Sequence, residues 1–315
     1  MNSSRLTTPV KSPRRDTVRG LERQRERLLV FMLAPAALLI LVLVAFPVGA
    51  MVNFAFQDVK LFALMNDAPA EYTLRNFERL FSDPRTAAMF RVTVIYVFAG
   101  TTIAFLWGLA TALLLERAFP GRAVLRMLII SPWAIAAVVA SLAWMFLLNA
   151  ETGLINYALL SSGASGRPVN FLGNHLWALP TVVFVSAWKS YPFFTVMLMA
   201  GLNAVPRDAL DAARIDGAGP VTSFFWVTLP ALRPVIAVSL PLSLLSAFRE
   251  IETIFVLTGG GPGRATETAS VAIYNQAFQF FEVGRASALG VVVFVICLVV
   301  ALGSLRLLQD RTLKQ

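Results

Sequence analysis

Six apolar runs, each long enough to cross a bilayer as a helix, set the terms for this chain. They cover residues 28–50, 89–115, 124–148, 176–202, 235–257 and 286–307. About 20 apolar residues suffice for a helix to cross a hydrocarbon core of about 30 Å. In lipid the backbone must satisfy its own polar groups, and runs of this length without alternation do so as helices. The predicted fold class is therefore an all-α membrane protein with six transmembrane helices. Charged residues make up only 14% of the 315, against about a quarter in a soluble domain. The first run follows a basic segment and ends in Val48-Gly49-Ala50, which imitates a secretory leader and its cleavage site. It is longer than the apolar core of a leader, about 7–15 residues, so it is read as an uncleaved first helix.

Basic residues orient the helices. Residues 1–27 are polar and carry Arg5, Lys11, Arg14, Arg15, Arg19, Arg23, Arg25 and Arg27. They are read as a disordered basic cytoplasmic tail, and residues 28–310 as the transmembrane domain. On the tail's side fall Arg117, Arg122, Arg126, Arg207, Arg214, Arg233, Arg306, Arg311 and Lys314. Opposite them fall Lys60, Arg75, Arg79, Arg85, Arg91, Arg167, Arg264 and Arg285. The richer set belongs to the cytoplasm by the positive-inside rule, which puts both termini inside. The net charge of +9 is thus a topology signal and a contact for anionic lipid. It forms no single basic patch interleaved with aromatics, so nucleic acid is not an expected partner.

Between the fourth and fifth runs lies residues 205–234, too polar to cross a bilayer. Pro206 and Asp208 suit a helix start. Leu210, Ala213 and Ile215 follow at the spacing of a short amphipathic helix. Gly217 is a natural stop, and Pro220 opens a second short helix running to Pro230. The expected arrangement is helix, glycine turn, helix, on the cytoplasmic side.

No side-chain constellation for chemistry appears. Cys297 is the only cysteine and His175 the only histidine, so no cysteine or histidine metal cluster is expected. A phosphate-cradling loop needs Gly-x-x-x-x-Gly-Lys before Ser or Thr. The four lysines are Lys11, Lys60, Lys189 and Lys314, and none follows a glycine. No catalytic constellation is read from these residues, and no cofactor held by this chain is expected.

Charges inside the runs mark a second region. Lys189 lies near the middle of the fourth run, and Arg249, Glu250 and Glu252 in the outer half of the fifth. A charge at the bilayer centre costs about 2.5–3.5 kcal/mol, so these face protein or a water-filled path. Lys189 is expected to reach toward Glu250 or Glu252, either to fix helix packing or to line a substrate path. Trp144, Trp188, Tyr191 and Phe248 are candidates to stack on an apolar face of a substrate, although each also suits plain packing. On these features alone, a self-sufficient secondary transporter or channel using Lys189 and the carboxylates as a relay stays open.

The wording of residues 205–234 narrows the choice. Asp211-Ala212-Ala213, then Ile215-Asp216-Gly217-Ala218, Phe225 and Leu229-Pro230, resembles the cytoplasmic "EAA" coupling loop of ABC importer permeases. In that family Glu usually stands where this chain has Asp211. Similar in order and spacing are Ala34-Pro35 and Phe46-Pro47, Asn76-Phe77, Ser131-Pro132-Trp133, and Trp188-Lys189 with Pro192-Phe193. Thr258-Gly259-Gly260-Gly261-Pro262 with Thr266-Glu267-Thr268 resembles the carbohydrate branch, of the maltose and glycerol-phosphate type. The family often has Phe-Asp before the glycines, where Ile251-Glu252 stands here.

The resemblance implies a multi-pass protein of a bacterial-type inner membrane that moves a sugar, oligosaccharide or polyol derivative by alternating access. It implies a second permease subunit, identical or not, two ATP-binding subunits that hold ATP and Mg, and an extracytoplasmic solute-binding protein. Asp211, Ala212, Ala213, Asp216 and Gly217 would couple to the ATPase. Lys189, Arg249, Glu250 and Glu252 are the substrate-path candidates.

Overall fold

The computed structural model describes residues 31–60, 62 and 71–312; the basic tail 1–27 and Lys314 lie outside the described residues. The chain forms two compact units, 1–53 and 54–315. The first holds most of α1 (Phe31–Ala55), whose middle, Leu41–Ala45, takes a π-type turn. The second begins with α2 (Arg75–Ser82), α3 (Pro84–Glu116), α4 (Arg122–Ala134), α5 (Ala137–Leu147) and α6 (Leu154–Ser161). It continues with α7 (Ala178–Asn203), α8 (Arg207–Ile215), α9 (Pro220–Arg249), α10 (Glu252–Thr258), α11 (Ala269–Tyr274) and α12 (Val283–Thr312). Apart from one antiparallel bridge between Gln57 and Tyr72, regular structure among the described residues is helical.

Five helices, α1, α3, α7, α9 and α12, are long and apolar enough to cross a membrane. The third apolar run departs from a single straight span. It is divided into α4 and α5, which meet at 102° across Ile135-Ala136. Pro132 has no amide to give the carbonyl of Leu128, and Ser131 Oγ donates to that carbonyl instead, at 2.9 Å. The weakened last turn ends where Ile135 becomes extended.

The fifth run is lengthened at one end and cut at the other. The expected second short helix, from Pro220 to Pro230, is the start of α9 itself. A π-type turn at Phe224–Thr228 precedes Pro230, and the widened turn accommodates a proline that would otherwise break the ladder. At the far end α9 stops at Arg249. Glu250 is extended, and α10 begins at Glu252 as a separate piece.

Helices α3 and α7 form the spine of the second unit. Gly100, Ala104, Gly108 and Ala112 recur every four residues on α3 and are all buried. Small residues at this spacing let two membrane helices approach closely. A Cβ on Gly108 would meet Phe194 Cβ, with the Tyr191 carbonyl at 2.9 Å and the Thr195 amide at 3.0 Å. Around this contact Trp107 stacks on Tyr191, with ring centroids 4.6 Å apart. Thr111 and Thr195 share a hydroxyl bond of 2.7 Å. Helices α4 and α9 pack on this pair, and α12 packs on α9. At the end of α7 nearer α8, Gly201 admits Leu232 and Val235 of α9.

Candidate functional site

A cavity of about 520 Å³ lies among α3, α4, α7 and α9. Its volume falls within the range of small-molecule sites, about 300–1,000 Å³. Helix α3 contributes Tyr96, Thr101 and the small residues Gly100 and Ala104. Helix α7 contributes Ser186, Lys189, Ser190 and Phe193, one face of a helix at steps of three and four. Helix α9 contributes Ser243 and Ser246, α4 contributes Trp133, and Glu250 closes the wall at the end of α9. The Tyr96 hydroxyl is 2.8 Å from Ser186 Oγ. Thr101 is 5% exposed, and its hydroxyl has no protein partner. An unpaired buried hydroxyl is costly.

The structure divides the charged candidates. Lys189 and Glu250 line the cavity, whereas Arg249 and Glu252 do not and are exposed. Lys189 makes no ion pair with Glu250 or Glu252 among the described residues. Its Nζ donates instead to the carbonyls of Ile135 at 2.6 Å and Pro132 at 3.4 Å. Those carbonyls were freed by the bend between α4 and α5. A cation at the carbonyl end of a helix is favourable, and this one satisfies both the break and its own charge. Glu250 Oε1 accepts from the Thr253 amide at 3.0 Å, bridging the break between α9 and α10.

The aromatic candidates are displaced too. Tyr191 is stacked on Trp107, Trp144 sits edge-on to Trp188, and Phe248 is buried in the core. Rings that reach the cavity are Trp133, Phe193 and Tyr96. Trp133 and Phe193 are tilted neighbours, 6.4 Å apart. The one sequence hint for them is the spacing of Phe193 with Ser186, Lys189 and Ser190 on a single helical face.

Beyond the cavity, the glycine-rich segment after α10 is tied down. Thr258 and Thr266 hydroxyls lie 2.7 Å apart, and Thr266 Oγ1 also donates to the Gly261 carbonyl at 2.7 Å. The amide of Ala269 reaches Thr93 Oγ1 of α3 at 2.9 Å. Gly259 and Gly260 take φ of 60° and 91°, where residues with a Cβ are strained.

At the opposite end of the helices lies the expected turn. Helix α8 ends with Asp216 as its cap, and Gly217 takes φ 81°. The Gly217 amide donates to the Arg214 carbonyl at 3.1 Å, and the Ala218 amide to Ala213 at 2.9 Å. This pair of bonds is a Schellman stop. Leu210 and Ala213 are half-buried. Ile215, expected on the same apolar face, is 87% exposed, since at 3.6 residues per turn it stands about 140–160° around the helix from Leu210 and Ala213. Asp211, Ala212, Asp216 and Gly217 are exposed. Asp211 pairs with Arg214 at 2.8 Å, an exposed pair worth about 0–1 kcal/mol that gives way readily to another partner. Val221, Phe225 and Trp226 add exposed apolar surface beside the turn.

Residues 100–315 match the family described as binding-protein-dependent transport system inner membrane component. The chain is similar to the trehalose/maltose transport system permease protein MalF of Thermococcus litoralis, 38% identical over 225 residues, covering 71% of this chain and 75% of that one. It is similar to the sulfoquinovosyl glycerol transport system permease protein SmoG of Agrobacterium fabrum, 31% identical over 311 residues, covering 95% and 99%. Its fold matches a chain in the crystal structure of the bacterial alginate ABC transporter in complex with alginate pentasaccharide-bound periplasmic protein. That match has a TM-score of 0.76 at 22% identity and covers 90% of this chain and 94% of that one.

Proposed function

Because this chain belongs to the binding-protein-dependent transport system inner membrane component family, we propose that its cavity carries an uncharged sugar or polyol across the membrane. The chain is the membrane-spanning permease subunit of an ABC importer; it is a transport component and not an enzyme. The cavity's composition carries the cargo reading. Seven hydroxyl-bearing residues, Tyr96, Thr101, Ser186, Ser190, Ser243, Ser246 and Thr253, line it together with the rings of Trp133 and Phe193. Sugars present hydroxyl edges and apolar faces, which such a lining matches. One ammonium, already engaged by two carbonyls, is balanced by one carboxylate. An anionic cargo such as a sugar phosphate would want an excess of cationic donors.

In this reading the Gly217 turn faces the cytoplasm and receives an ATP-binding subunit. Asp211, Ala212, Ala213, Asp216 and Gly217 supply the docking edge, and the exposed Ile215 and Phe225 supply apolar contact. A second permease subunit, two ATPase subunits with ATP and Mg, and an outer solute-binding protein complete the assembly. Both termini lie inside, with six crossings counting α4 and α5 as one. The test is gentle purification of the tagged chain from its native membrane, followed by binding of neutral disaccharides and of sugar phosphates to the accompanying receptor. Recovery of an ATPase, a permease partner and a receptor for the neutral class is expected. A receptor that takes only phosphorylated or acidic sugars would overturn the cargo assignment.

A further inference from the structure

The two charged residues of the cavity make their contacts at helix breaks. Lys189 holds the freed carbonyls of Pro132 and Ile135 between α4 and α5. Glu250 holds the Thr253 amide between α9 and α10, and its own carbonyl accepts from Ser270 Oγ at 2.6 Å. Beyond the two breaks, the half-helices α5 and α10 pack against one another. We propose that Lys189 and Glu250 are positioning residues, each fixing the hinge of one half-helix, and that α5 and α10 swing as one body about the two breaks while the cavity opens and closes. The inference rests on the permease reading above.

Polar backbone groups released inside a membrane must find partners, and so must a charge placed there. Lys189 satisfies both needs in one contact. Charge-assisted bonds are the stronger kind, so the angle at Ile135-Ala136 is held while the contact lasts. Both charged groups also face the cavity. Cargo hydroxyls therefore compete with the backbone for the same ammonium and carboxylate. A ligand shifts a conformational equilibrium only through a difference in its contacts with the two states, and this competition supplies one. Occupancy of the cavity, whose wall includes Thr253 of α10, is thereby linked to the restraint on both half-helices.

The experiment uses the assembled transporter in lipid nanodiscs with spin labels. Cys297 is this chain's only cysteine, so Cys297→Ser removes its own thiol, and the partner subunits are used with their cysteines replaced. One label pair, Val139→Cys with Phe255→Cys, lies within the α5–α10 body. A second, Val139→Cys with Val196→Cys, reports that body against α7. Nucleotide trapping is expected to leave the first distance unchanged and to move the second. Lys189→Met should give a broad mixture of both second-pair distances and lower the maximal uptake rate by about tenfold. Lys189→Arg, which keeps charged donors, should restore both. At the other break Glu250→Gln keeps an acceptor for Thr253 and should retain the shift, whereas Glu250→Leu should lose it; this comparison stands if Lys189→Met does not assemble. A first-pair distance that moves, or a full shift in both Lys189→Met and Glu250→Leu, overturns the proposal and leaves the permease reading intact. No movement of the second pair in the otherwise unaltered transporter also overturns the proposal, whereas only a lack of ATP-dependent uptake by that assembly would count against the permease reading.

Discussion

Replacing Gly217 separates conformation from space. A Cβ at this position meets nothing within 4 Å, so the penalty comes only from φ 81°. A residue with a Cβ pays about 1–2 kcal/mol in the left-handed region, which lowers the odds of the intact turn by about 5–30-fold. Gly217→Ala should therefore couple measurably worse than the unaltered chain, and Gly217→Asn less so, because Asn tolerates this region. Gly217→Pro is a different perturbation. Its φ is fixed near about −65°, and it lacks the amide that now donates to Arg214 at 3.1 Å. The redirected chain also loses the bond from Ala218 to Ala213. The turn cannot form, although no membrane-crossing helix is altered. Uptake by the assembled transporter, measured at matched membrane levels, should fall in the order Gly, Asn, Ala, Pro, with Pro near background. Wild-type uptake by Gly217→Pro at equal membrane level would refute the view that this turn transmits force.

Gly108→Leu should part α3 from α7, because the obstructing atoms are backbone of Tyr191 and Thr195. Overpacking of this kind costs about 1–3 kcal/mol, read as earlier thermal unfolding in detergent. Gly303→Leu, where a Cβ meets nothing, should leave that curve unmoved. Asn76 is 2% exposed and donates to the carbonyls of Ala55 and Gln57 at 3.1 and 2.8 Å. Asn76→Leu should strand both carbonyls at a cost of about 1–3 kcal/mol, seen as lower thermal stability. Thr101→Val removes a buried, unpartnered hydroxyl, so thermal stability in detergent should hold or rise.

Much of this architecture is legible from hydropathy, because length and apolarity alone make a crossing helix. The Gly217 turn is legible for a local reason: a helix start, an amphipathic face and a glycine stop all sit within a dozen residues. Breaks inside apolar runs are not. Pro132 looks like many prolines tolerated in membrane helices, and nothing in residues 124–148 reveals a 102° bend. Pro230 and Pro241 sit in α9 without ending it. The partner of Lys189 was hidden for a related reason. Sequence reasoning pairs side chains with side chains, and here the acceptors are backbone carbonyls that exist only because the helix breaks. The displaced aromatics follow, since reorienting α4 brings Trp133 to the cavity while Trp144 packs on Trp188.

The central claim is that this chain moves cargo only when a nucleotide-hydrolysing partner drives it. Proteoliposomes with the complete assembly, the receptor and a labelled neutral disaccharide test it most directly, by comparing uptake with ATP, without ATP and with the permease chain alone. Accumulation that requires both ATP and the ATPase subunits is the predicted result. Vectorial accumulation by the permease chain alone, without nucleotide, would contradict the account.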